Sequence, residues 1–133
     1  MKVKNNILLF FIGMFLIILL DFIWIGLLMK NFYYINIGAF YRTAFLLLPA
    51  LLVYALLSSG IVMFAISPDI KKTFMRGSLL GLIIYGVYDL TNYAILNFWG
   101  LELTFIDMLW GTVLCGAVSS LLWMLKNGTI HKE

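Results

Sequence analysis

Four apolar stretches constrain this chain more than any motif. Residues of about 7–29, 44–66, 77–97 and 104–125 each supply the roughly 20 residues that cross a hydrocarbon core at a rise of 1.5 Å per residue. Of the 133 residues, 64% are hydrophobic and only 11% charged. A soluble domain of this length would leave too much of that apolar surface in water. The expected fold is therefore an all-α membrane protein, with four transmembrane helices in an antiparallel bundle forming one domain over residues 1–133. No Pro/Gly/Ser-rich linker divides the chain. The first stretch is read as a retained helix, because it is too long for a signal peptide, contains Asp21 and lacks a small-residue cleavage site.

The cations orient the spans. Lys2, Lys4, Lys71, Lys72, Arg76, Lys126 and Lys132 fall on one side, and only Lys30 and Arg42 on the other. By the positive-inside rule both termini are cytoplasmic. The basic residues are scattered, so the net charge of +3 is read as topology and no nucleic-acid partner is expected. Trp99 and Trp123 sit at span ends, as interfacial anchors do. The first outer loop, KNFYYINIGAFYRT, is also read as an interfacial anchor, with a lid over an outward-facing pocket as the alternative.

Several chemistries fall away. A single cysteine, Cys115, rules out a Cys-x-x-Cys redox pair and a cysteine-rich metal site. The one histidine, His131, cannot supply paired haem ligands, and a serine–histidine hydrolase is equally poorly served. No cofactor is expected. No metal site is expected either, since nothing fixes a coordination pattern for a hard cation.

What the composition leaves is a set of acids in the wrong solvent. Asp21 and Asp89 fall near the middle of their spans, each about 3–5 Å toward the outside by helical rise, and Asp107 falls about 10 Å outward. Each aspartate near a span centre costs about 2.5–3.5 kcal/mol on insertion scales. Such residues face a bundle interior or a wet cavity. Tyr54 lies at comparable depth on the second span. Asp89 shares a helical face with Tyr85, Asn92 and Tyr93, while Trp24 follows Asp21 and Trp110 follows Asp107 by three residues. The candidate ligand-binding residues are Asp21, Trp24, Tyr54, Tyr88, Asp89, Thr91, Asn92, Asp107 and Trp110.

Small residues mark the helix contacts. Gly77 and Gly81 lie four apart, as do Gly111, Cys115 and Ser119, with Thr112, Gly116 and Ser120 beside them. Such faces let backbones approach closely in lipid. Packing within one bundle is the expected use, and a homo-oligomer through these faces is the alternative.

The motifs together resemble a known family. DFIWIG followed by Lys30 and FYY, then YDLTN, Trp99 and DMLWGT, are similar to the small bacterial inner-membrane proteins grouped as the 2177 family of domains of unknown function. The resemblance covers nearly the whole chain. It rests on Asp21, Trp24, Gly26 and Lys30, on Tyr88, Asp89, Leu90, Thr91 and Asn92, and on Asp107, Trp110, Gly111 and Thr112. It implies a four-span protein of the bacterial inner membrane and brings no particular activity or cofactor.

The expected function is an outward-facing acidic pocket that binds or transports a cation, a proton or a cationic small molecule. One alternative is a membrane-embedded acid/base enzyme acting on a lipid or isoprenoid, with one aspartate as acid and another as base. The other is a non-catalytic accessory protein that docks a partner helix. The bilayer is the one partner common to all three.

Overall fold

The computed structural model describes residues 5–128, and over these the chain is helical. Helix α1 runs Asn6–Leu28, and its last turns, Phe22–Leu28, are widened to π-helix. A short helix α2 follows at Lys30–Ile37, then a 3₁₀ turn at Gly38–Phe40. Helix α3 runs Leu47–Ala65, α4 Ile70–Ile95 and α5 Leu101–Asn127. The residues that start and stop these helices follow ordinary capping chemistry. Asn5 accepts from the Ile7 N–H at 2.9 Å, and Asp69 accepts from the Lys72 N–H at 2.8 Å. Pro49 falls in the first turn of α3, where its missing N–H would have no partner in any case. Gly128 ends α5 at φ 66°, a left-handed conformation that a side chain would resist.

Helices α1, α3 and α5 are long and apolar enough to cross a membrane. At 26 residues α4 is long enough as well. It is less apolar than the other three, because Lys71, Lys72 and Arg76 fall in its first half and Asp89, Thr91 and Asn92 in its second. Of the cations used to orient the spans, Lys2, Lys4 and Lys132 lie outside the described residues, as does His131.

Two close approaches set how the long helices sit. The buried face of α1 is Leu9, Gly13, Ile17 and Asp21, one residue per turn. Gly13 lets α3 in: a Cβ there would lie 2.6 Å from the Ser58 hydroxyl oxygen. That hydroxyl donates to the Phe10 carbonyl at 2.7 Å, which satisfies a polar group in an apolar setting. Helices α4 and α5 pack most extensively, and they do so antiparallel. Gly77 lies against Cys115 and Ser119, and Gly81 against Gly111 and Cys115. Gly111 in turn receives the ring of Tyr85. The two small-residue faces are thus used against each other within the chain.

The two ends of the molecule differ. At the end where α1 begins and α5 finishes, Leu9, Ile17, Leu57, Ile61, Ala65, Leu114, Val118 and Leu122 make a closed apolar core. Helix α3 meets α4 chiefly there, through its last turn Ile61–Ala65. Toward the other end α3 and α4 part. That end is closed by α2, the 3₁₀ turn and the α4–α5 connection, where Tyr33, Trp99 and Leu103 form a second buried cluster. Phe40 stacks on Phe98 with centroids 3.7 Å apart. The segment expected as an interfacial anchor therefore folds as a cap: Tyr33 is 5% exposed and reaches into the molecule. Trp99, expected at the interface, is also buried, because its ring packs under this cap.

Candidate functional site

The small-residue seam determines where two of the acids go. Along α4 the face turned to α5 steps by four residues through the buried Thr73, Gly77 and Gly81, the half-buried Tyr85, and the buried Asp89. Along α5 they step through Leu103, Asp107, Gly111, Cys115 and Ser119. With Gly77 opposite Ser119 and Tyr85 opposite Gly111, the next step on each helix sets Asp89 beside Asp107.

Asp21 and Asp107 are each only 7% exposed, and Asp89 is fully buried. No Lys or Arg side chain is buried among the described residues, and Lys30 and Arg42 are exposed. The acids are met instead by neutral donors. The Trp110 Nε1–H donates to Asp21 Oδ1 at 2.7 Å. The Tyr33 hydroxyl donates to Asp107 Oδ1 at 2.7 Å and accepts from the Trp24 Nε1–H at 3.2 Å. Burial, and next the neighbouring Asp107, hold the Tyr33 hydroxyl above the ordinary tyrosine range, so it stays a donor at physiological pH.

These bonds cross between the two Asp-x-x-Trp motifs. Trp24 and Trp110 stack with centroids 4.6 Å apart and planes 2° from parallel. Each indole then reaches past its counterpart: Trp110 serves Asp21, and Trp24 serves Asp107 through Tyr33. Each tryptophan thus serves the aspartate of the other motif and not the one three residues before it on its own helix. The π-helical widening from Phe22 onward sets the register of Trp24 in this stack.

Beside this cluster lies a cavity of about 690 Å³. Its wall is almost wholly apolar or aromatic: Ile25, Tyr33, Ile37 and Tyr41 on one side, Val53, Leu56 and Leu57 from α3, and Ile84, Tyr85 and Tyr88 from α4, with Trp99 above. Asp107 is the only acidic residue in the wall. Because α3 and α4 have parted, the side chains flanking the gap, Val53 (54%) and Leu56 (72%) opposite Tyr88 (56%), are exposed to the surroundings. In a bilayer those surroundings are lipid. A second cavity of about 380 Å³ between α1 and α3 is lined by Asp21 and Tyr54 among apolar residues.

Of the sequence-predicted residues, Asp21, Trp24, Asp89, Asp107 and Trp110 come together, with Tyr54 beside Asp21 and Tyr88 in the wall of the larger cavity. Asn92 is half-buried on the same helix, near Tyr88. Thr91 is exposed and stays outside the cluster, since one residue either way around a helix turns a side chain by about 100°. The sequence reading missed Tyr33, the hinge of the network. Its signal was the four-residue spacing to Ile37 in an aromatic segment, which puts both on the face that lines the cavity.

A family model described as "Predicted membrane protein (DUF2177)" matches residues 6–124, and the chain belongs to that family. No curated protein and no solved structure matches it.

Proposed function

From membership of that membrane-protein family and the geometry of the larger cavity, we propose a four-span protein of the bacterial inner membrane, both termini cytoplasmic, that binds a cationic amphiphile. The ligand's apolar body lies in the cavity and its head meets Asp107. Helix α4 is the fourth span in this reading, because it runs along α5 and turns Leu79, Ile83 and Val87 outward at 51, 62 and 66% exposure. A row of large apolar side chains left uncovered along one face suits contact with lipid. The charge bias then sets the cavity in the outer half of the bilayer.

One observation carries the ligand class: a wide apolar wall holding one acidic residue, within a cluster of three buried acids and no buried cation. A buried charge calls for a partner, and here the ligand supplies it. A bare metal ion would need several oxygen ligands in place of its water, which this wall lacks. An ammonium on an alkyl chain needs one carboxylate and apolar surface, and tyrosine and tryptophan faces favour it further. Binding is proposed rather than transport, because the three acids of the cluster all lie in the same half.

The test is retention of dodecylamine by the purified protein in a neutral detergent, read by native mass spectrometry. Wild type is expected to keep one copy, and Asp107→Asn to bind it about 10- to 100-fold more weakly, the worth of a charge-assisted bond. Equal retention of dodecylamine and dodecanoate by wild type would contradict the reading.

A further inference from the structure

Asp89 is the one acid of the cluster with no hydrogen-bond donor. Both of its carboxyl oxygens are sealed from the exterior and accept no hydrogen bond from the described residues, whereas Asp21 and Asp107 each accept a bond of 2.7 Å. An ionised carboxylate presents lone pairs only, and burying one without donors is among the costliest arrangements a fold can hold. The groups around it offer no charge to offset this. Asp107 faces it from α5, Tyr33 from α2 and Tyr88 from its own helix, with Asp21 farther off on α1. None is a cation.

A proton removes the difficulty, because a carboxylic acid donates. The acceptor set beside Asp89 by the glycine seam is Asp107. We infer that Asp89 is held as the neutral acid, donates its O–H to Asp107, and so makes the pair one negative charge that selects a head with a single positive charge. Asp89 is then a positioning residue. It steadies Asp107 from behind, while Tyr33 does so from the cap and the cavity face is left for the ligand. The cationic head adds one charge to the pair, and the proton stays on Asp89 throughout. This rests on the cationic-amphiphile reading for the ligand and on packing alone for the proton.

Infrared difference spectroscopy of protein labelled with ¹³C-carboxyl aspartate, in lipid nanodiscs, reads the proton directly. A protonated-carboxyl C=O band is expected in wild type, lost in Asp89→Asn and unmoved by dodecylamine. Asp107→Asn, which exchanges the charged acceptor for a neutral one, shifts that band to the frequency of a weakly bonded acid. Asp89→Ala, which removes the donor toward Asp107, is expected to bind dodecylamine about tenfold more weakly than wild type, and Asp89→Asn, whose amide restores a donor, to recover most of that loss. A band that survives in Asp89→Asn, or that vanishes when dodecylamine binds, overturns the inference. So does a tenfold loss of dodecylamine in Asp89→Asn. If wild type holds no dodecylamine, the ligand reading and the single-charge selection fall together, and the band still decides whether Asp89 bears the proton.

Discussion

The two halves of this molecule are built from opposite materials. Around Gly13, Ser58, Gly77, Gly81 and Ser119 the helices pack closely, with the Ser58 side chain against Gly13 and the Cys115 and Gly111 carbonyls against Gly77 and Gly81. Around Asp21, Asp107, Trp24, Trp110 and Tyr33 they are spaced by rings, bridged by three side-chain hydrogen bonds, and opened into a cavity. In lipid there is no hydrophobic force between helices, so association rests on close packing and on polar contacts. The tight half uses the first and the open half the second. The division of labour is physical: the seam of small residues holds α4 to α5 firmly enough to place two acids side by side, and that placement is what the open half works with.

Substitutions in the two halves should therefore fail differently. The largest effect is expected at Gly81→Ala, whose new methyl would collide with the Gly111 carbonyl, a backbone group that cannot swing aside. A loss of about 3 kcal/mol or more in unfolding free energy, measured by steric trapping in bicelles, is expected from overpacking of this kind. Unchanged stability would mean that α4 and α5 are not in this register. Next comes Tyr33→Phe, which strips the donor from Asp107 and the acceptor from Trp24 and should cost about 1–3 kcal/mol in the same assay. If Asp107→Ala removes that penalty in a double-mutant cycle, the bond is the cause. If the two losses simply add, it is not. The smallest effect is expected at Gly86→Ala. A Cβ there meets only the Met108 methyl at an ordinary 3.4 Å, so stability should rise by up to about 1 kcal/mol from helix propensity. A loss as large as that of Gly81→Ala would erase the distinction between the halves.

The tight half was readable in the sequence, and the open half only in outline. Glycine and serine at four-residue spacing state a helix contact almost by themselves, and Gly77, Gly81, Gly111, Cys115 and Ser119 do make one. The same seam extended by one step on each helix pairs Asp89 with Asp107 from spacing alone. The crossing of the two Asp-x-x-Trp motifs was not readable, because it depends on a ring stack between helices and on π-helical turns that no local pattern of apolar residues announces. The role of Tyr33 was hidden for a related reason. Aromatic residues in a loop suit a headgroup interface as well as a buried cap, and only tertiary contact with Asp107 separates the two. The parting of α3 from α4 likewise leaves no mark in composition, since lipid-facing and cavity-facing leucines look alike.

The central claim is that the larger cavity is open to the hydrocarbon between α3 and α4 and admits an alkyl chain as far as Tyr33. Intermolecular nuclear Overhauser effects between the chain methylenes of dodecylamine and protein protons, in deuterated lipid, measure this directly. The account predicts cross-peaks to Tyr33 and Tyr88. Cross-peaks confined to outward side chains such as Leu52 and Val87, with none to Tyr33, would contradict it.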